Sequence, residues 1–206
     1  MTSGAVEVWL VRHGETEWTL SGQHTSRTDL PLLPQGRVQA QELGRRLAQF
    51  VPDPSLVLTS PMARALETCR LAGYGDRAAQ TEDLVEWDYG EYEGMTTADI
   101  RQHRPDWTVW TDGVPGGETA AEVGRRADRV IEVARSAGGD VILFSHGHLL
   151  RVLTARWVGL PPAGGRLFAL GAGVLCTLGY ERETPVVERW NVGAGEPVAG
   201  EPAADE

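Results

Sequence analysis

Short apolar runs alternate along the chain with longer stretches in which apolar residues recur every three or four positions. Val6–Val11 (VEVWLV), Leu56–Thr59 (LVLT) and Val141–Phe144 (VILF) are brief, mostly apolar, and run straight into polar segments. Such runs predict strands buried on both faces. Between them, Gln35–Phe50 places Leu43, Leu47 and Phe50 at helical spacing with arginines opposite, and Pro52 and Pro54 end the pattern. Ser60-Pro61 reads as an N-cap and first helical residue, with Met62, Ala65, Leu66 and Cys69 as the buried stripe that follows. Leu84–Gly94 is acidic and aromatic and reads as a loop, and Asp99–Trp110 as a short helix interrupted at Pro105. Gly116-Gly117 precedes a helix over Glu118–Ala137 that turns Val123, Ala127, Val130, Ile131 and Ala134 inward. A further helix starts near Ser145–His148 and runs to about Val158, and Val174–Tyr180 and Val186–Val192 alternate like strands. Strand and helix thus take turns through most of the chain, which predicts an α/β layered fold with a mostly parallel sheet. Ligands in such folds sit beyond the carboxyl ends of the strands.

The 206 residues suffice for one domain, read as residues 1–193. Residues 194–206 are Gly, Pro, Ala and acidic residues without periodicity, and read as a disordered acidic tail. The net charge of −10 argues against nucleic acid and anionic membranes as partners, because both need an extended basic face. All 19 basic residues are arginine. The absence of lysine excludes a Walker-type phosphate loop and Schiff-base chemistry. Any cation that binds phosphate in this chain is therefore a guanidinium or an imidazolium. Cys69 and Cys176 fall in apolar segments and lack CxxC or zinc spacing, so they read as buried free thiols. No signal-peptide pattern is visible and no apolar run is long enough to span a bilayer, so a cytoplasmic protein is expected.

The three apolar strands end at Arg12-His13-Gly14-Glu15, at Thr59-Ser60-Pro61 with Arg64 one turn on, and at Ser145-His146-Gly147-His148. If they are neighbours in one parallel sheet, two arginines and at least two histidines meet at one edge. Guanidinium forks match phosphate bidentately, and helix starts nearby add backbone N–H groups and a positive dipole end. A histidine in such a clamp is either another cation or a nucleophile, since unprotonated imidazole attacks phosphorus. Glu86, among Trp87, Tyr89 and other aromatic neighbours, is the candidate proton donor for a leaving alkoxide.

Four ordered segments carry a resemblance: Leu10-Val11-Arg12-His13-Gly14-Glu15-Thr16-Glu17-Trp18, Ser60-Pro61-Met62-Ala63-Arg64-Ala65-Leu66-Glu67-Thr68, Glu86-Trp87-Asp88-Tyr89-Gly90-Glu91-Tyr92-Glu93-Gly94 and Ser145-His146-Gly147-His148. Over roughly residues 6 to 160 the chain resembles the histidine phosphatase superfamily, branch 1, the phosphoglycerate-mutase-like branch. The resemblance implies a three-layer α/β/α sandwich of the phosphoglycerate-mutase-like kind, with neither metal nor cofactor. It implies that His13 is phosphorylated, that Arg12, Arg64 and His146 bind the phosphoryl group, and that Glu86 donates the proton. Mutases of this family carry a longer insertion with lysine after the acid loop, and an arginine directly after the acid. This chain has about twenty residues between Gly94 and Gly116, no lysine, and Trp87 in that place. A second phosphate would lack its partners, which favours a phosphatase of small phosphorylated metabolites over a cofactor-dependent phosphoglycerate mutase or a non-catalytic phospho-ligand sensor.

Two further segments, Ser21–Leu32 and Trp110–Thr119, resemble the subgroup of broad-specificity acid phosphatases and sedoheptulose-bisphosphatase-like enzymes. Gln23, His24, Thr25, Tyr92, Glu118 and His148 are the expected substrate-side residues, with Arg27 as a second-phosphate contact and Trp87 beside the site. Against these stand blander readings. His24 and Tyr92 would serve equally as loop packing, and His148 as a residue of the helix start. His146-Gly147-His148 also looks like a metal pair, but His24 and His103 lack ligand spacing. Leu143–Gly147 resembles a serine nucleophile elbow, but no histidine follows His148 to complete a triad. Glu15 reads as orienting the His13 loop. The expected partner is one small phosphate ester, and a homodimer is the expected assembly.

Overall fold

The computed structural model describes residues 6–193; the expected tail over 194–206 lies outside them. Thirteen elements follow in order: β1 (Val8–Arg12), α1 (Glu17–Ser21), α2 (Pro34–Phe50), β2 (Leu56–Thr59), α3 (Ala63–Leu71), β3 (Ala78–Gln80), α4 (Thr97–Arg101), α5 (Val109–Asp112), α6 (Ala120–Arg135), β4 (Val141–Ser145), α7 (Gly147–Trp157), β5 (Val174–Glu181) and β6 (Thr184–Gly193). The strands form one sheet in the order β3-β2-β4-β1-β5-β6. β3, β2, β4 and β1 are parallel, while β5 and β6 are antiparallel and close as a hairpin.

β1 and β4 are apolar up to their last residue because both faces are covered. Val8 and Leu10 of β1, with Val141 and Leu143 of β4, pack with Val123, Val130, Leu150 and Leu153 of α6 and α7. Trp9, Val11, Ile142 and Phe144 point the other way, toward Leu43 and Leu47 of α2 and Cys69 of α3. The result is a three-layer α/β/α sandwich with β1 and β4 at its centre. Both cysteines are free and buried. No helix among the described residues is long and apolar enough to cross a membrane.

Several boundaries differ from the sequence expectation. Ser60 does not cap α3; that helix begins at Ala63, and the Asp29 carboxylate accepts the Ala63 N–H at 2.8 Å. Ser60 instead points its hydroxyl at His146. The helix expected over Asp99–Trp110 is two short helices, α4 and α5, with α4 capped reciprocally by Thr96 and Asp99. α6 starts at Ala120, later than expected, because Thr119 and Glu122 form its capping box. Gly14 and Gly36 are where the His13 loop meets α2. A Cβ on either would overlap the backbone of the opposite segment, so only glycine permits this approach.

Candidate active site

The carboxyl ends of β1, β2 and β4 lie side by side, as the parallel register requires: Arg12 is opposite Ser145, and Thr59 opposite Phe144. His13 follows β1 directly. Its backbone N–H donates to the Ser145 carbonyl at 3.0 Å, and its own carbonyl accepts from Gly173 N–H at 2.9 Å. The ring Nδ1 sits 2.8 Å from the Gly14 carbonyl, which can only accept. Nδ1 therefore carries the proton, and Nε2 keeps an unshared lone pair. Burial, followed by the neighbouring Arg64 and Arg12, pushes the imidazole pKa well below its ordinary value of 6.5.

The expected phosphoryl-binding residues surround this ring. Arg12 is half-buried, donates to the Leu170 carbonyl, and lies against Gly147, where a Cβ would come within 3.1 Å of the guanidinium carbon. Arg64 has no exposed surface. Its terminal nitrogens donate to the carbonyls of Thr25, Ser26 and Thr28, so the fork is spent on the loop rather than free as expected. His146 packs edge-on to His13 with ring centroids 5.1 Å apart. Its Nε2 is 2.8 Å from Ser60 Oγ, which itself accepts from Met62 N–H. Where Ser60 Oγ donates to Nε2, Nδ1 is the N–H of His146. Arg12 Nε, Arg64 Nε and His146 Nδ1 are buried without a protein partner. Two guanidinium N–H donors and an imidazole nitrogen around one ring suit an oxyanion and no apolar group.

Glu86 stands across the start of α7. Oε1 accepts from Trp87 N–H at 2.9 Å and Leu149 N–H at 2.8 Å, and Oε2 from His148 N–H at 2.9 Å. Oε2, with one such bond, retains a lone pair for a proton. Arg126 braces this loop by donating to the carbonyls of Asp83 and Val85.

Arg12, His13 and Glu86 open into a cavity of about 420 Å³, also lined by Gln23, His24, Thr25 and His148. Those four, expected on the substrate side, share one cavity wall. Tyr92 and Glu118 are not in the wall. Tyr92 packs edge-on to Trp107 and accepts from Arg104 at 3.3 Å. Both Glu118 oxygens are held by Arg126 at 2.7 and 2.8 Å, and Oε2 also takes Asp88 N–H, so this carboxylate braces the acid loop. Arg27 is exposed and faces Glu82 and Asp88 at 3.5 and 3.9 Å, away from the wall. Trp87 is fully buried, behind His148 rather than beside the cavity. Glu15 pairs with Gln39 of α2 through both its N–H and its carboxylate, as an orienting residue would.

Sequence reasoning missed Tyr89, whose hydroxyl meets His148 Nδ1 at 2.7 Å in the cavity wall. The one signal for it was its place three residues after Glu86, on a segment already singled out. It also missed Trp18, Thr97, Trp107 and Trp110, and the arginines at 101 and 151.

A model of the histidine phosphatase superfamily (branch 1) matches residues 8–193. The chain belongs to that superfamily. The match runs from the first residue of β1 to the last of β6 and takes in all four motif segments. Among relatives of this histidine phosphatase, an acid phosphatase of Mycobacterium tuberculosis is 44% identical over 174 residues, covering 84% of this chain and 85% of the relative. A sedoheptulose 1,7-bisphosphatase of Saccharomyces cerevisiae is 38% identical over 181 residues, covering 73% and 67% respectively. A solved structure of a Mycobacterium tuberculosis open reading frame superposes with a TM-score of 0.88 at 40% identity, over 92% of this chain and 98% of that one.

The histidine phosphatase site also sets a pH dependence of stability. His13, His146 and His148 are all held well below 6.5, chiefly by burial, with nearby arginines adding to it. The unfolded chain binds protons below pH 6.5 that these folded groups refuse. Stability is therefore full above 6.5 and falls as the pH drops toward their folded values, by up to about 1.4 kcal/mol per pH unit for each histidine. Urea unfolding at pH 7.5, 6.5 and 5.5 should show midpoints falling in that order, with a smaller fall in His148→Gln.

Proposed function

We propose that this protein is a metal-independent phosphomonoester hydrolase of small phosphorylated metabolites in the cytoplasm, working through a phosphohistidine on His13. The observation that carries the reading is the Nδ1–H bond from His13 to the Gly14 carbonyl, because it fixes the tautomer that presents Nε2 as the nucleophile. Two of its relatives are named an acid phosphatase and a sedoheptulose 1,7-bisphosphatase. In the first step Nε2 forms a bond to phosphorus and the ester P–O bond breaks, while Glu86 Oε2 gives its proton to the leaving oxygen, which departs as the alcohol. The unspent donors of Arg12, Arg64 and His146 hold the equatorial oxygens. In the second step Glu86 takes a proton from water, the water oxygen attacks phosphorus, and the N–P bond breaks to release inorganic phosphate. His13 regains its lone pair and Glu86 its proton, so the cycle closes. The free buried cysteines accord with a reducing compartment.

Phosphate release from a panel of sugar phosphates, phosphoglycerates and an aryl phosphate, with and without a chelator, tests the reading. Release that survives the chelator is expected. Interconversion of 2- and 3-phosphoglycerate with little release would replace the hydrolase by a mutase.

A further inference from the structure

The loop between α1 and α2 holds the Arg64 side chain, and a carboxylate that the catalytic steps do not use holds the loop. Arg64 has no exposed surface, and the exposed Asp29 carboxylate stands 3.9 Å from its Nη1. The guanidinium is met more closely by three carbonyls of one short segment. Nη1 donates to Thr28 at 3.1 Å, and Nη2 to Thr25 at 3.3 Å and to Ser26 at 2.9 Å. A loop can turn its carbonyls to a buried cation only where its N–H groups find acceptors of their own. Two of them find Glu93, which lies on the same motif segment as Glu86. Glu93 Oε1 accepts Ser26 N–H at 2.8 Å and Thr28 N–H at 3.0 Å, and Oε2 accepts Ser26 N–H at 3.0 Å.

The covalent chain makes this link direct. The Thr25 carbonyl and the Ser26 N–H belong to one planar peptide unit. That unit gives its N–H to Glu93 and takes Arg64 Nη2 on its oxygen, so a single peptide bridges carboxylate and guanidinium. Hydrogen bonds in such a row polarise one another, and charged groups at both ends strengthen them. Glu93 is half-buried and has no ion-pair partner within 4 Å among the described residues, so its charge is spent on the loop. The same segment reaches the acid, since Ser26 Oγ donates to the Glu86 carbonyl at 3.2 Å. With the terminal nitrogens engaged, the Arg64 nitrogen left without a protein partner is Nε. The loop therefore decides which edge of the guanidinium is offered to an oxyanion.

We propose that Glu93 is a positioning residue for the phosphoryl clamp: it holds the 25–28 loop with its carbonyls toward Arg64 and so aims Arg64 Nε at the transferring group. Glu93 itself lies outside the cavity wall. The claim rests on the hydrolase reading for its effect on turnover, whereas its effect on anion binding does not need that reading. A carboxylate that merely fastened the loop would lower the melting temperature and leave the kinetics of the folded protein unchanged.

Glu93→Ala and Glu93→Gln are compared with the unsubstituted protein and in an Arg64→Lys background, with circular dichroism reporting the fold. Lysine keeps a cation for the three carbonyls but has no counterpart of the Nε–H. In Glu93→Ala, kcat/KM for glycerol phosphate and for p-nitrophenyl phosphate should fall together by about 10- to 100-fold, up to the lower end of what losing an oxyanion donor costs. Equal losses mark the phosphoryl clamp, which the leaving group does not enter. A loss confined to glycerol phosphate would place the effect on Glu86 through Ser26 and overturn the proposal. Affinity for inorganic phosphate, read by titration calorimetry, should weaken by about tenfold, the scale of one hydrogen bond to a charged group. Glu93→Gln, whose one amide oxygen can still take both N–H groups, should lose less. In Arg64→Lys, the Glu93→Ala change should add less than about twofold, because its route to the phosphoryl group is gone. Kinetics and phosphate affinity within about twofold of the unsubstituted protein, or a full loss that persists in Arg64→Lys, overturns the proposal. Should Glu93→Ala not fold, the smaller loss is read on Glu93→Gln, and unchanged values there overturn it. A protein that releases no phosphate from either ester sinks the hydrolase reading, and the phosphate affinities then decide the positioning claim alone.

Discussion

Replacing His13 with alanine should lower turnover by about 10⁴- to 10⁶-fold, the scale of losing a covalent nucleophile, while circular dichroism stays that of the folded protein. The size of the loss follows from what the other imidazoles are doing. His146 Nε2 is tied to Ser60 and His148 Nδ1 to Tyr89, while His24 Nε2 lies 3.3 Å from the Thr97 hydroxyl. None of them can take the place of His13 at the end of β1, where Ser145, Gly173 and Gly14 hold it from three sides. Phosphate release within about tenfold of the unsubstituted enzyme would remove His13 from the chemistry.

The second large effect is selective rather than total. Glu86→Gln should reduce kcat/KM for an alkyl ester such as glycerol phosphate by about 10²- to 10⁴-fold, the usual range for a general acid. For p-nitrophenyl phosphate the same substitution should cost less than about tenfold, because a nitrophenolate leaves without a proton. kcat/KM is the quantity to read, since it reports transfer to the enzyme and excludes the later hydrolysis, in which Glu86 is proposed to act as base. The amide also meets the structure badly. Its NH₂ would replace an oxygen that now accepts His148 N–H, or one that accepts Trp87 and Leu149 N–H, and so sets donor against donor. Equal losses on the two esters would show that this carboxyl is structural.

The parts of the fold and site legible in the sequence were those that depend on consecutive residues. The central strands are apolar up to their last residue because Val8 and Leu10 face one helical layer and Trp9 and Val11 the other. The motif ends Arg12-His13 and Ser145-His146 follow such strands directly, so locating the strands located the site. What failed depends on partners distant in sequence. Nothing near Ser60 says that Asp29 caps α3 in its stead, or that Arg126 claims Glu118. Tyr89 and Tyr92 lie on one short loop, and only its packing decides that Tyr89 turns to His148 while Tyr92 turns to Trp107. β3, with two of its three residues exposed, carries no apolar signal at all. Arg101 and Arg151 are ordinary helical arginines in the sequence. Only the fold sets them in the cavity wall.

The central claim is the covalent intermediate, and trapping it is the most direct test. The enzyme is mixed with a phosphate ester, quenched within milliseconds in alkali, where phosphohistidine survives, and digested for mass spectrometry. One phosphoryl group on the peptide containing His13, absent from His13→Ala and discharged as inorganic phosphate when the substrate is exhausted, is the predicted result. Full turnover with no phosphopeptide at any quench time, or with the group on another residue, would contradict the account.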